Sequence, residues 1–324
     1  MNYVLLGRTG VLVSELCFGT MTFGNPADEE TSRAMFNRCL EAGINFFDCA
    51  NVYAGGRSEE ILGRLMKGKR DDLVITSKVY GNMSGKLNGG GLSRRHIVRA
   101  VEESLRRLDT DRLDLYFVHQ MDQDTPIEET VHALDDLVAA GKIVYPAVSN
   151  WAAWQIMKAL GIAEREMLAR FACIQPMYSL VKRQVEVEIL PLAQAEQLGV
   201  IAYSPLGAGL LTGKYSRKDQ PDGGRLQENP MYTKRYSLDW YYDTAEDFVN
   251  YARGKGYHPV SLAVAWVLSH PAVTAPIIGA RNLEQLEPSL DAVNIPVSLE
   301  MRAEISAFSP TPPPATDRLE EQVK

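Results

Sequence analysis

Eight short apolar runs recur along the 324-residue chain, and each is followed by a longer segment in which apolar residues repeat with helical spacing. Most of the runs begin about 30 residues apart, which is the length of one strand-plus-helix unit. This alternation is typical of βαβ units and a parallel sheet. The predicted strands are approximately Leu16–Phe18, Ile44–Asp48, Leu73–Lys78, Leu113–His119, Val144–Ser149, Ala172–Gln175, Val200–Ser204 and Val273–Ile278.

The segments between the runs carry residues that start and end helices. Asp28 is placed to cap a helix over 29–42, and Ser93 is placed to cap the helix that follows the third run. A third helix, 126–140, starts with proline and acidic residues, which suits the first helical position and the helix macrodipole. Eight such units without a Gly-, Ser- or Pro-rich linker predict one α/β domain over 1–324, a closed (β/α)8 TIM barrel.

Three segments lie outside this repeat. Residues Tyr3–Val13 alternate apolar and polar around Arg8-Thr9-Gly10, which predicts a β-hairpin at the bottom of the barrel. The stretch 216–243 is polar and contains glycine, proline and aromatic residues, so we expect a long loop that could serve as a mobile lid. The tail 310–324 begins with a proline-rich segment and then carries charged residues, and we expect it to be flexible.

Charge and composition exclude several classes of partner. The net charge is −7, with acidic and basic residues interspersed, so the chain lacks the basic stripe that binds nucleic acid. No apolar run approaches the roughly 20 residues of a membrane helix, and the N-terminus lacks the pattern of a signal peptide. The four cysteines have neither disulfide nor zinc spacing. We therefore expect a cytoplasmic protein that acts on small molecules, and a homo-oligomer stays open.

Four polar side chains lie at or near the ends of neighbouring predicted strands. Asp48, Lys78 and His119 end the second, third and fourth runs, and Tyr53 follows closely enough to fold back over Asp48. Reactive groups of such barrels stand at the C-terminal ends of strands. An ammonium beside a tyrosine lowers its pKa by favouring phenolate, a carboxylate would hold that ammonium, and an imidazole would donate a hydrogen bond to a substrate oxygen. The set predicts protonation of a carbonyl oxygen, although each residue alone could be structural.

Two other site types fit the sequence poorly. A metal-dependent hydrolase would need two or three converging ligands, and of five histidines only His119 ends a predicted strand. We therefore predict no metal site. The glycines near Gly213 suggest a phosphate-binding P-loop, but Ala208 stands where that motif needs glycine and Tyr215 where it needs serine or threonine. No G-x-G-x-x-G follows a strand and opens a helix.

Several segments together carry a family resemblance. They are Leu16–Met21, Gly43–Tyr53, Ile75–Lys78, Asp114–His119, Asp124–Thr130 and Ala202–Leu206. Over nearly its whole length the chain resembles the aldo-keto reductases, and it is most similar to the bacterial general aldo-keto reductases and the related potassium-channel β-subunits. The resemblance implies a catalytic tetrad of Asp48, Tyr53, Lys78 and His119.

The resemblance further implies NADPH-dependent reduction of an aldehyde or ketone to an alcohol, with Tyr53 as general acid. The alternative is a cofactor-binding regulatory or channel-β-like subunit with little turnover. The carbonyl substrate itself stays open. Tyr80, the loop 81–91 and the aromatic cluster 240–242 could shape its pocket, and that cluster could equally be local packing.

The resemblance also implies how NADP(H) would lie across the barrel mouth. Near the reacting ring would be Gly19, Thr20, Met21 and Asp48; at the carboxamide, Ser149, Asn150 and Gln175; and stacked on the ring, Tyr203. Near the pyrophosphate would be Ser204, Pro205, Leu206, Gly207, Gly209, Leu211 and Lys214. At the adenosine end would be Gly279, Arg281, Gln285 and Ser289.

Two of these assignments have alternatives. Ser149 and Asn150 could instead cap the helix that follows them. Many relatives have lysine and serine where this chain has Gly279 and Ala280, so the preference for NADPH depends on Arg281, whose planar guanidinium suits a phosphate. A surface pair between Arg281 and an acid is the other interpretation.

Overall fold

The computed structural model describes residues 1–215, 226, 229–316, 318 and 320. Eight parallel strands close into a barrel in the order β10-β3-β4-β5-β6-β7-β8-β9, and β1 and β2 form a separate antiparallel hairpin. The strands of the described residues are β1 Tyr3–Leu5, β2 Leu12–Ser14, β3 Cys17–Gly19, β4 Phe46–Asp48, β5 Val74–Val79, β6 Leu113–Val118, β7 Ile143–Ser149, β8 Cys173–Gln175, β9 Gly199–Ala202 and β10 Ala275–Ile278. The predicted TIM barrel with an N-terminal hairpin is confirmed.

Helices surround the barrel. They are α1 Glu29–Glu41, α2 Arg57–Leu65, α3 Arg94–Leu108, α4 Ile127–Ala139, α5 Ala153–Glu166, α6 Ile189–Ala195, α7 Pro230–Arg235, α8 Asp239–Gly254, α9 Pro259–Leu268, α10 Leu283–Leu290 and α11 Leu299–Ser306. The Asp28 carboxylate caps α1 as expected, accepting from the Thr31 amide at 2.8 Å, and Ser93 caps α3. Pro126 is the residue before α4 and not its first helical residue, because its ψ of 138° lies outside the helical region.

Side chains of the strands alternate between the barrel interior and the helices, as the two-residue period of a strand requires. Phe46 and Phe117 belong to the interior cluster, whereas Phe47 belongs to the layer between strands and helices. Leu6 and Val13 from the hairpin segment join the interior cluster. The hairpin therefore contributes to the core that it covers.

Gly7 lies where the hairpin meets the barrel. Its φ is +55°, and an added Cβ would lie 2.5 Å from the backbone nitrogen of Gly199. We expect Gly7→Ala to lower the free energy of unfolding by about 2–4 kcal/mol. The alanine would have to adopt a left-handed conformation, and its Cβ would also clash with the Gly199 backbone. The control is Gly10→Ala, where an added Cβ meets no described atom within 4 Å. Equal urea midpoints for the two variants would contradict this account.

The predicted long loop 216–243 is wrong in its second half. Residues 230–235 form α7, and α8 begins at Asp239. The Asn229 side chain accepts from the Met231 amide, and Pro230 takes the first helical position, so the segment has the residues that start a helix. Residues 216–225, 227 and 228 lie outside the described residues.

Residues 310–314 have no regular secondary structure and are mostly exposed. Residues 317, 319 and 321–324 lie outside the described residues, and the flexibility of the tail stays a prediction. In the part of the chain that the structure describes, no helix has the length and apolar character needed to cross a membrane.

Candidate active site

The four predicted catalytic side chains meet at the mouth of the barrel. Asp48 ends β4, Lys78 is the fifth residue of β5, and His119 directly follows β6. Tyr53 begins the 3₁₀ turn after β4. The Lys78 Nζ lies 2.6 Å from Asp48 Oδ2 and 3.2 Å from the Tyr53 hydroxyl. The Tyr53 and His119 ring centroids are 6.2 Å apart, so the strand-end prediction placed these groups together correctly.

Lys78 and Asp48 form an ion pair in the barrel interior. Lys78 is 0% exposed and Asp48 2%, so each charge needs partners inside the protein. The ammonium also donates to the Cys49 carbonyl at 2.7 Å. The other carboxylate oxygen accepts from Thr76 Oγ1 and Gln175 Nε2, both at 2.8 Å. Burial works against the charge of Lys78, but Asp48 and Tyr53 outweigh it, and the pKa of Lys78 lies above its ordinary value.

The Tyr53 hydroxyl is a weaker acid than the sequence suggested. Burial raises its pKa to about 12, even though Lys78 acts in the opposite direction. Lys78 does act to lower this pKa, as the sequence predicts, but the cost of burying a phenolate exceeds the attraction of the ammonium, so the pKa is raised overall. The consequence is a phenol that carries its proton at neutral pH and can donate it.

His119 supplies a neutral imidazole. Burial lowers its pKa to about 4, and the positive charge of Lys78 acts in the same direction. The residue is held by its backbone, since its amide donates to the Val79 carbonyl at 2.9 Å and its carbonyl accepts from Asn150 Nδ2 at 2.9 Å. A neutral imidazole in this position can donate one hydrogen bond to a substrate oxygen.

The predicted carboxamide-binding residues are hydrogen-bonded to one another beside the tetrad. Ser149 Oγ donates to the Gln175 carbonyl at 2.9 Å, and Asn150 Nδ2 donates to Ser149 Oγ at 3.0 Å. The Tyr203 hydroxyl donates to Asn150 Oδ1 at 2.7 Å. Ala152 is the N-cap of α5, so the interpretation of Ser149 and Asn150 as helix caps is wrong.

Residues 19–21, at the end of β3 and just beyond it, divide into supporting and exposed groups. Gly19 pairs with Asp48 across the strands. The Thr20 side chain is buried and donates to the Asp48 carbonyl at 3.1 Å, and its amide donates to the same carbonyl at 2.9 Å, so Thr20 supports β4. Met21 is 38% exposed and is the side chain of this group that a ligand at the mouth would meet.

The turn after β9 has the backbone needed for close approach of a ligand. Gly207, Ala208 and Gly209 have φ of 55°, 58° and 100°, and the segment Gly207–Thr212 is a kinked 3₁₀ helix. Lys214 Nζ lies 5.0 Å from the Tyr215 ring centroid. The other predicted contacts of this segment are the half-buried Ser204 and Leu206 and the buried Pro205 and Leu211.

The segment after β10 leads into α10. Gly279 is exposed, Arg281 is half-buried, and the Arg281 amide donates to Gln285 Oε1 at 3.2 Å. Ser289 is only 1% exposed. A ligand on this surface would meet Arg281 and Gln285, and it would reach the Ser289 hydroxyl only if α10 moved.

A cavity of about 470 Å³ adjoins the predicted carboxamide group. Its lining includes Asn150, Gln175 and Tyr203 together with Trp240 and Tyr241. The Trp240 and Tyr241 ring centroids are 4.2 Å apart. These two aromatic residues therefore pack against each other and also line this cavity, and their contribution to a substrate pocket stays a prediction.

A phenol, a buried ammonium and an imidazole thus meet at the mouth of a (β/α)8 barrel, and such groups can protonate a carbonyl oxygen and stabilise charge on it. Residues 15–310 match the family model described as the Aldo/keto reductase family. The chain belongs to the aldo/keto reductase family. It is accordingly an oxidoreductase of the kind that acts on small carbonyl compounds with a nicotinamide cofactor.

Curated relatives match almost the full chain. The chain is 38% identical over 323 residues to the uncharacterized oxidoreductase YrpG of Bacillus subtilis, covering 96% of this chain and 97% of that protein. It is 38% identical over 302 residues to a probable voltage-gated potassium channel subunit beta of Oryza sativa, covering 91% and 92%. It is 33% identical over 339 residues to protein tas of Escherichia coli, covering 95% and 97%.

Proposed function

We propose that this protein catalyses the NADPH-dependent reduction of an aldehyde or ketone to an alcohol. The observation that carries the proposal is the contact between the Tyr53 hydroxyl and Lys78 Nζ at 3.2 Å, beside His119. It places a protonated phenol next to a fixed ammonium and a neutral imidazole. These are the groups that a carbonyl oxygen needs when it gains a proton.

The residues present fit a nicotinamide dinucleotide. Ser149, Asn150 and Gln175 offer the donors and acceptors that a carboxamide requires, and Tyr203 is hydrogen-bonded to this group. Gln175 directs Nε2 to Asp48, so its Oε1 would accept from the carboxamide amine. The left-handed turn after β9 would let the backbone approach the pyrophosphate.

A nicotinamide cofactor held by these residues would supply the hydride that the carbonyl carbon gains. Tyr53 donates its proton to the carbonyl oxygen, and the Lys78 ammonium stabilises the phenolate that this leaves. Asp48 keeps Lys78 charged and in place. His119 donates a hydrogen bond to the same oxygen, which orients the substrate and stabilises negative charge as it develops.

The test is the loss of NADPH absorbance with a panel of sugar, aromatic and 2-oxo aldehydes and simple ketones, run in parallel with NADH. We expect turnover with at least one class and a preference for NADPH. Tight binding of NADPH with no turnover across the panel would instead support a regulatory subunit. That second function is favoured by the relatives named as potassium channel β-subunits.

Cofactor preference should depend on Arg281. We expect Arg281→Met to raise the KM for NADPH by about 10- to 100-fold, the value of a charge-assisted hydrogen bond to the 2′-phosphate, and to leave the KM for NADH unchanged. Arg33→Met, at an exposed arginine paired with Glu29, is the control. A similar rise in both KM values would show that Arg281 does not recognise that phosphate.

The rate of reduction should vary little with pH near neutrality. His119, with a pKa of about 4, is neutral above that value, and Tyr53, with a pKa of about 12, keeps its proton below it. We therefore expect kcat/KM for a non-ionising aldehyde to be flat between about pH 6 and 9 and to fall at more alkaline pH. An inflection near pH 7 that disappears in His119→Asn would contradict the neutral state of His119.

We also propose that the enzyme acts in the cytoplasm on small carbonyl compounds, as one domain over 1–324. Cys17, Cys39, Cys49 and Cys173 are all buried free thiols, which suits a reducing compartment. The proposal does not depend on whether the protein forms a homo-oligomer, because all the residues assigned to the site come from one chain.

A further inference from the structure

The turn that presents Tyr53 has an unusual backbone. Ala54, Gly55 and Gly56, the three residues after Tyr53, have φ of 48°, 66° and 96°. A left-handed conformation costs an alanine roughly 1–2 kcal/mol, and such strain persists only where neighbouring structure holds it. Something outside the turn must therefore fix its shape.

Arg107 of α3 lies directly against this turn. A Cβ added to Gly56 would lie 3.0 Å from Arg107 Cδ and 3.2 Å from its Nε. That Nε donates to Glu59 Oε2 at 2.6 Å. The guanidinium therefore contacts the turn on one side and binds a carboxylate of the following helix, α2, on the other.

Glu59 connects the turn to the strand of Lys78. Its side chain is fully buried, and Oε1 accepts from Ser77 Oγ at 2.5 Å. Ser77 is the neighbour of Lys78 in β5, and successive strand residues face opposite sides of the sheet. One buried carboxylate thus joins α2, the helix that directly follows the turn of Tyr53, to the strand that carries Lys78, from behind the sheet.

Stability alone does not account for this pair. A buried ion pair is often no more stabilising than apolar residues of similar size, because both charges lose their hydration. What the pair adds is a geometric restraint. The Glu59 carboxylate accepts from two fixed donors, Ser77 and Arg107, and can satisfy both only within a narrow range of positions.

We propose that the Glu59–Arg107 pair is a positioning device that sets the Tyr53 hydroxyl against Lys78 for proton transfer. The inference rests on the proposed function, because its kinetic consequence is a slower reduction. Neither residue is assigned a contact with substrate or cofactor, so both act through the turn and the strand.

The kinetic test compares Arg107→Met, Glu59→Gln, the double variant and Arg107→Lys. Each single variant should lose stability, and the double variant should recover most of it, because it removes both charges. We expect kcat of the double variant to remain about 10- to 100-fold below wild type, the scale of a small misplacement of reacting groups. KM for NADPH should be unchanged, and Arg107→Lys should restore part of kcat.

Arg99→Met is the matched control, because Arg99 lies on the same helix and pairs with Glu103 at an exposed position. It should retain wild-type kcat. Recovery of kcat together with stability in the double variant would overturn the proposal, because the pair would then be only structural.

A second readout does not need turnover. In protein labelled with ¹³C-tyrosine, the Tyr53 Cζ resonance is assigned as the signal absent from Tyr53→Phe. Wild-type Tyr53 should not ionise up to pH 10.5, because burial raises its pKa to about 12. In the double variant a loosened turn admits water, and the resonance should begin to titrate near pH 10, the ordinary value. An unmoved resonance overturns the inference, whereas a moved resonance in a protein without carbonyl turnover overturns only the proposed reaction.

Discussion

Replacing Tyr53 by phenylalanine is expected to lower kcat for carbonyl reduction by about 10²- to 10⁴-fold, the range that a positioned general acid contributes. The substitution removes only the hydroxyl that accepts from Lys78 Nζ at 3.2 Å. Lys78 keeps its bonds to Asp48 and to the Cys49 carbonyl. The loss in unfolding free energy should therefore not exceed about 0.5–1.5 kcal/mol, the value of one hydrogen bond, and NADPH affinity should not change.

Tyr116→Phe is the control for this experiment. Tyr116 lies in β6, is 0% exposed, and its hydroxyl has no hydrogen-bond partner among the described residues. Losing that hydroxyl should leave kcat within about twofold of wild type, because the substitution breaks no hydrogen bond. Single-turnover measurements with NADPH already bound would separate the chemical step from product release. Equal single-turnover rates for Tyr53→Phe and Tyr116→Phe would remove Tyr53 from the role of acid.

The meeting of the tetrad was predictable because barrel geometry makes neighbours of residues far apart in the chain. Asp48, Lys78 and His119 each come at or just beyond the end of an apolar run, and parallel strands of one barrel present those ends on one face. Ser149 and Gln175, which the family resemblance assigned to the carboxamide, also end strands, and Gln175 reaches Asp48. Sequence position was sufficient to predict that these residues meet, because the strand that each residue ends determines where that residue lies.

The second layer of contacts was not predictable in the same way. Thr76 and Gln175 both donate to Asp48, and Glu59 binds Arg107 from a different helix. These contacts depend on the orientations of side chains on separate elements. The spacing of apolar residues in the sequence does not predict such orientations. The net rise of the Tyr53 pKa was missed for a related reason. It depends on the burial of the phenol, which the packing of several elements determines.

The helices within 230–243 were missed although the sequence carries their signals. Asn229-Pro230 is a helix start, and Tyr241, Ala245 and Phe248 repeat at helical spacing and are buried. The glycines and prolines of the preceding stretch made the average composition of 216–243 resemble a loop. A shorter window that began at Asn229 would have separated the two.

Removing the charge of Lys78 should produce the largest loss of stability among these variants. Lys78→Met leaves the Asp48 carboxylate, 2% exposed, with Thr76 and Gln175, both neutral, as its donors among the described residues. Breaking a buried pair in this way typically costs about 3–5 kcal/mol, which urea unfolding would measure as a lower midpoint at unchanged slope. A loss below about 1 kcal/mol, as for an exposed pair, would show that water reaches the site.

The double variant Asp48→Asn/Lys78→Met separates stability from catalysis. It removes both charges and keeps an amide that can bind Thr76 and Gln175, so most of the lost stability should return. Activity should not return, because the phenolate left by Tyr53 would then lack the ammonium that stabilises it. Stable protein with strongly reduced kcat is the expected result, and stable protein with near wild-type kcat would mean that this ion pair serves only the fold.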